Sequence, residues 1–339
     1  MKRADPLSEL LAAKRVLLAD GAMGTGLFAR GLESGGSPEL WNLERPEEVR
    51  AVHRGFVEAG SDILLTNSFG ANRKRLALHG AEQRVAELNR AAAGLARAAA
   101  AAAGRPVLVA GDIGPTGEIF APAGGFSRAE GEAVFAEQAR ALAEGGVDLL
   151  WIETISSAEE LAAAVAGAAP TGLPIVATMT FDTRGRTRMG LTCAAAMALR
   201  ADLAVRPVAF GANCGVGPAQ LVESVLGLTR AGEPGDVIVA KGNCGLPHFH
   251  DGEIRYDGTP EIMADYACLA RDAGARIIGG CCGTTATHVR AMAHALATRP
   301  EGGPPDLAAI ERTLGPVAAE AGAPRQRARR RGAMGPSHA

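Results

Sequence analysis

The feature that most constrains this chain is an alternation repeated eight times. Short runs rich in Val, Ile and Leu end in glycine, asparagine or an acid, and each is followed by an alanine-rich amphipathic segment. The runs are VLLADGA (16–22), DILLTNSF (62–69), VLVAGDIG (107–114), DLLWIET (148–154), PIVATMTF (174–181), VAFGANCG (208–215), VIVAKGNCG (237–245) and RIIGGCCG (276–283). Continuous apolar runs bounded by turn residues suit strands buried on both faces. The segments between them carry helix punctuation. PEEVRAVHRGFVEAG opens on proline and two acids and closes on glycine, and TPEIMADYACLARDAG repeats the scheme with Thr259 as N-cap. Eight strand–helix units in 339 residues predict a closed (β/α)8 barrel of the TIM type. An open doubly wound sheet is the rival. It usually has fewer units and a G-x-G-x-x-G turn, and DGAMGTG lacks that order.

Around the barrel, expected over 16–316, lie a lead-in helix over 1–15 and a tail over 317–339. Five arginines between Arg325 and Arg331, followed by small residues, mark the tail as a solvated, disordered segment. The net charge of −2 creates no global field toward nucleic acid or an anionic membrane, so neither is expected as a partner. The first residues lack the apolar core of a signal peptide, and no apolar run approaches the ~18 residues of a membrane span. A cytoplasmic protein is expected.

Strand C-termini and the loops after them carry the active sites of such barrels. That places the cysteines. Cys214 ends the sixth run, Cys244 the seventh, and Cys281 and Cys282 the eighth. Cys193 and Cys268 fall in helical segments and are expected to pack as small apolar residues. Three thiolates at the rim suit zinc, which takes sulfur ligands in a tetrahedron and keeps one position open in catalytic sites. Neighbours in a regular strand point to opposite faces. For Cys281 and Cys282 to share one ion, the strand must break its alternation, and Gly279, Gly280 and Gly283 permit it. Residue types alone leave a structural zinc, a redox-active vicinal pair acting as a non-catalytic thiol sensor, and inert rim cysteines open.

A longer pattern bears on these alternatives. LADGAMGT (18–25), TNSFGAN (66–72), GDIGPTGE (111–118), WIETIS (151–156), GANCGVGP (211–218), KGNCGLP (241–247) and GGCCGTT (279–285) span about residues 16–298. In order and spacing they resemble the homocysteine S-methyltransferase family. That family includes stand-alone bacterial betaine–homocysteine methyltransferases and the homocysteine-binding module of cobalamin-dependent methionine synthase. The resemblance implies a (β/α)8 barrel and a catalytic Zn2+ on Cys214, Cys281 and Cys282. It implies methyl transfer to the thiolate of L-homocysteine, giving methionine, by in-line displacement from a positively charged donor.

For the rest of homocysteine, Asp20 and Glu153 are the expected acceptors of the ammonium. The backbone around Gly21 and Ala22 is expected to hold the carboxylate. By resemblance, Asn243 occupies the open zinc position before substrate arrives. Cys244 beside it is expected to pack, and His248 and His250 to lie in a solvated loop. The leading donor is glycine betaine, whose trimethylammonium group asks for an aromatic cage. Trp41 is the best candidate for it, then Phe69 and Phe120, with Trp151 assigned to the core. The animal betaine enzymes have tyrosine where this chain has Gly70 and Thr154. At those motifs the chain is more similar to the methionine-synthase module, so a separate methylcorrinoid protein is the alternative donor.

Overall fold

The computed structural model describes residues 5–182, 185–245, 247–250 and 253–317. Among the described residues there are ten strands: β1 Leu17–Leu18, β2 Ile63–Leu65, β3 Leu108–Ile113, β4 Leu149–Ile155, β5 Ile175–Met179, β6 Ala209–Cys214, β7 Ile238–Gly242, β8 Pro247–His250, β9 Glu253–Tyr256 and β10 Ala275–Gly280. Eight of them pair in parallel in the order β1-β10-β7-β6-β5-β4-β3-β2. A parallel bridge between Ala19 and Ile63 joins the last strand back to the first. The eight apolar runs are thus the eight barrel strands. Strands β8 and β9 form a separate antiparallel hairpin where a loop was expected. His250 lies on this hairpin, with its side chain outside the described residues. The arginine-rich tail also lies outside them, beyond residue 317.

Helices alternate with the strands for the reasons their ends advertise. Helix Pro46–Ala59 has Pro at its first turn with Glu47 and Glu48 behind it, and stops at Gly60, whose φ of 108° suits glycine. Thr259 accepts from the Ile262 N–H at the start of helix Pro260–Asp272. Among the described residues no helix is long and apolar enough to cross a membrane.

Period-two geometry sorts each strand into an outer and an inner set. Leu18, Leu64, Val109, Leu150, Ala177, Phe210, Ala240 and Ile278 face the helices in the main core. Leu17, Ile63, Leu108, Ala110, Leu149, Trp151, Val176, Ala209, Val239 and Ile277 fill the barrel interior, with Leu7 of helix Pro6–Ala13 packed among them. Trp151 is therefore core, as expected. Two residues further along three strands the same inward register reaches Asp112, Glu153 and Lys241, and four residues beyond Ala209 it reaches Asn213. All four are buried. The barrel interior thus changes from apolar to charged in one step, at the end where the strands finish.

The opposite end carries its own acids, each just before a strand. Asp62 accepts from the Leu18 N–H at 3.1 Å and from Lys14 at 2.5 Å. Asp148 accepts from the Val109 N–H at 2.7 Å and pairs with Arg97 at 2.9 Å. Asp236 takes two bonds from Arg200, at 2.9 and 2.6 Å, and another from the Glu233 N–H.

Candidate active site

At the C-terminal end of the strands opens a cavity of about 1000 Å³. The sulfurs of Cys214, Cys281 and Cys282 lie on its wall, all within 4.8 Å of one another. Strand β6 ends on Cys214, which sits at φ 62°, a left-handed conformation uncommon outside glycine. The other two arrive differently from the expectation. From Ile277 onward strand β10 keeps its alternation; it ends at Gly280, and Cys281 and Cys282 occupy the turn that follows. The Cys281 N–H donates to the Gly242 carbonyl at 2.6 Å, and the Cys282 carbonyl accepts from the Cys244 N–H at 2.9 Å. Gly283 closes the turn at φ 79°, and a side chain there would collide with the Tyr256 ring.

Asn213, one residue before Cys214, had not been singled out. Its Oδ1 accepts from the Thr154 N–H and the Thr178 hydroxyl, both at 2.8 Å, and its Nδ2 donates to Thr154 Oγ1 at 2.8 Å. These bonds hold Thr154 at φ 65°, and the same Nδ2 stands 3.9 Å from Cys281 Sγ. Asn243 donates to the Gly215 carbonyl at 2.7 Å, and its buried Oδ1 has no partner. Its side chain also hydrogen-bonds Cys214.

The thiols bond one another. The bond with Cys281 lowers Cys214 while that with Cys282 raises it, and burial helps leave it at about 12. Cys282 is lowered by its bond to Cys214 and raised by Cys281 and burial, also reaching about 12. Three half-buried sulfurs this close can ionise together only with a cation among them. Their sulfur chemistry, their spacing and the free Asn243 oxygen fit a zinc ion.

Cys244 is buried and donates to the Gly258 carbonyl at 3.2 Å, outside the triad. Cys193 and Cys268 are buried on helices. The exposed His248 ring bonds Asp257 at 2.8 Å.

Below the cysteines lies the charged layer. Lys241, 3% exposed, donates to Glu153 at 3.1 Å, stands 3.8 Å from Asp20 and lies over the Trp151 ring at 5.3 Å. Burial alone would depress its ammonium, but Glu153, Asp20, Cys281 and Asp112 together raise it. Asp20 accepts from the Leu65 N–H at 2.8 Å, and burial pushes it up to about 7 against the pull of Lys241. Asp20, Glu153, Gly21 and Ala22 all line the cavity, as do Met23, Gly24 and Thr25 in the first turn of helix Met23–Phe28. The Ala22 N–H itself is taken by the Thr284 carbonyl at 2.9 Å, which leaves the following turn to face an anion.

The aromatic residues divide. Phe69 lines the cavity, and so do Phe28 and Tyr256, which had not been singled out. Trp41 does not reach it. The short helix Trp41–Glu44 buries the indole in the main core, with Arg45 stacked at 5.0 Å. Phe120 is also buried, edge-on to Phe126 at 5.1 Å. At Gly70 a side chain would meet Glu39 Oε1 at 2.8 Å, because Glu39 accepts from the Gly70 N–H. No tyrosine fits there without moving that carboxylate.

Comparison with known proteins agrees with this geometry. The sequence model of the homocysteine S-methyltransferases matches residues 17–296. The methionine synthase of Mycobacterium tuberculosis is 34% identical over 310 residues, covering 85% of this chain and 25% of that protein. The methionine synthase of Mycobacterium leprae is 32% identical over 304 residues, covering 84% of this chain and 24% of that one. The chain thus spans about a quarter of these relatives. The oxidised form of the Escherichia coli homocysteine methyltransferase MmuM superposes with a TM-score of 0.72 at 28% identity, covering 85% of this chain and 99% of that one. Its metallated form superposes with a TM-score of 0.71, also at 28% identity, covering 85% and 98%.

Proposed function

Because the chain belongs to the homocysteine S-methyltransferase family, whose reaction moves a methyl group to the sulfur of homocysteine, we propose that it makes methionine with zinc held by Cys214, Cys281 and Cys282. The observation that carries this is the triad itself, three sulfurs within 4.8 Å of one another on a cavity wall. Bound there, zinc supplies the Lewis acidity that keeps an incoming thiol ionised at neutral pH. The chain's own residues do the rest. Asn243, whose buried Oδ1 is unpartnered, would offer the ion a fourth protein ligand. Asp20 and Glu153 receive the ammonium, with Lys241 holding Glu153 in place. The turn at Met23–Thr25 faces the carboxylate. The buried walls limit water, which strengthens each of these interactions.

The donor in this reading is a small methylated cation, glycine betaine being the expected example. The carboxyl groups of Asp20, Asp112 and Glu153 outnumber the one buried lysine, so the cavity favours positive charge. Phe69, Phe28 and Tyr256 are the aromatic faces available to it, in place of Trp41. A methylcorrinoid protein is the second reading, favoured by the 34% identity to a methionine synthase. The test is methionine formation by zinc-loaded protein from homocysteine, with betaine or methylcobalamin as sole donor. Product from betaine that disappears in Cys281→Ala supports the first reading. Product from methylcobalamin alone moves the donor to the second. A purified protein without metal, with a reducible bond between Cys281 and Cys282, overturns both.

A further inference from the structure

Among the described residues two that are not glycine have positive φ, Thr154 at 65° and Cys214 at 62°. Such backbone is costly and persists where its surroundings hold it. Asn213 touches both. It precedes Cys214 in the chain, and its side chain bonds Thr154 twice. Oδ1 accepts from the Thr154 N–H and Nδ2 donates to Thr154 Oγ1, each at 2.8 Å.

The conformation of Thr154 has a local cause. Ile152 pairs with Ala177 of β5 and Ile155 with Met179, so three steps along β4 face two along β5. The extra residue makes a bulge, and Glu153 and Thr154 lie in it. A bulge takes backbone groups out of the ladder and re-aims side chains. Here the Thr154 N–H reaches past β5 to Asn213 on β6. Thr178 of β5 adds its hydroxyl to the same Oδ1 at 2.8 Å. The register partner of Asn213 on β7 is Lys241, which donates to Glu153 at 3.1 Å. Facing residues of β6 and β7 thus hold the two residues of the bulge.

A side-chain amide offers two N–H donors and an oxygen with two acceptor positions. Asn213 is fully buried, and three of these four are taken at 2.8 Å. The fourth, the other Nδ2 hydrogen, has Cys281 Sγ as its partner at 3.9 Å. A charged sulfur accepts more strongly than a neutral thiol.

We propose that Asn213 is a positioning residue that joins the two halves of the site. Its N–H bond holds the Cys281 sulfur in the metal-binding triad, and its bonds to Thr154 hold the bulge that aims Glu153 at the substrate ammonium. This rests on the zinc and homocysteine reading above.

The test reads the halves separately. Zinc affinity, by competition with a chelator, reports on the triad. Calorimetry on zinc-loaded protein compares L-homocysteine with 4-mercaptobutyrate, which lacks only the ammonium, and the ratio of the two affinities reports on Glu153. Asn213→Ala is expected to weaken zinc by about tenfold or more and to lower the ratio about tenfold. Adding Thr154→Gly is expected to restore most of the ratio, because glycine takes a φ of 65° without help, while zinc stays weak. A merely structural asparagine would lower the melting temperature and leave zinc affinity and ratio unchanged, which overturns the proposal. A ratio that Thr154→Gly does not restore overturns the bulge as its cause. Where Asn213→Ala does not fold, Thr178→Val keeps the shape of β5 and removes one bond to the amide. Both readouts are then expected to fall about threefold, and no change in either overturns the assignment. Wild-type protein that binds no zinc, or binds the two thiols equally, overturns the reading on which the proposal rests.

Discussion

The two ends of the barrel both carry acids drawn wholly or partly out of water and treat them in opposite ways. Before the strands, Asp62, Asp148 and Asp236 are bound by backbone N–H groups and by Lys14, Arg97 or Arg200. After the strands, Asp20 and Asp112 each keep an oxygen with no hydrogen bond, and Asn243 keeps its carbonyl free. Asp62 is as buried as the upper acids, while Asp148 and Asp236 are half-buried; what separates the two ends is satisfaction. The lower acids fasten loops to strand starts and serve the fold. The upper ones are the groups that the proposed function gives to the substrate. This is the division of labour expected between the two faces of such a barrel.

The comparison breaks first at the cysteines. Cys281→Ala should remove the metal and lower methyl transfer by more than the ~100-fold that loss of a ligand's outer hydrogen-bond partner costs. Elemental analysis and activity read that, while the melting temperature of the metal-free protein barely moves. Next come the two acid sets. Arg200→Met leaves Asp236 with only the exposed Arg206 and the Glu233 N–H, and should cost about 2 kcal/mol by urea unfolding, with KM unchanged. Asp20→Asn should leave stability level or raise it by about 1 kcal/mol, with the change appearing in homocysteine binding instead.

The pH dependence has opposite signs at the two ends. The Arg200 guanidinium holds Asp236 well below the usual carboxylate range, so its contribution is complete above pH 3.8 and fades as pH falls through the lower folded value. Asp20 is raised from 3.8 to about 7 by burial, so the folded state holds the extra proton and stability declines as pH climbs between those values. Denaturant midpoints against pH should lose the acid limb in Asp236→Asn and the neutral decline in Asp20→Asn. The smallest effect belongs to Cys268→Ala, which should stay within about 1 kcal/mol and leave the metal content unchanged.

Much of this was legible in the residues. Each of the eight runs contains one barrel strand because apolar residues bounded by Gly, Asn and acids have few other uses. The rim cysteines followed from their place at the ends of those runs. Asp112 and Lys241 were legible but passed over: stepping by two from Leu108 through Ala110 reaches Asp112, and from Val239 reaches Lys241. In strands buried on both faces, alternation between polar and apolar is weak, so the inward register shows only once the core is sorted. The hairpin had a signal too, since PHFH and EIRY flank an Asp-Gly pair. Trp41 carried no such clue. Its burial is decided by how a four-residue helix packs against distant helices, which local sequence does not encode.

The central claim is that the triad binds a metal whose fourth position is taken by the substrate sulfur. Zinc-edge X-ray absorption of the loaded protein, before and after L-homocysteine, tests it most directly. The account predicts three sulfur ligands and one light atom at rest, and four sulfurs with substrate, with Asn243→Ala altering only the resting spectrum. A coordination shell that homocysteine leaves unchanged would make the zinc structural and contradict the account.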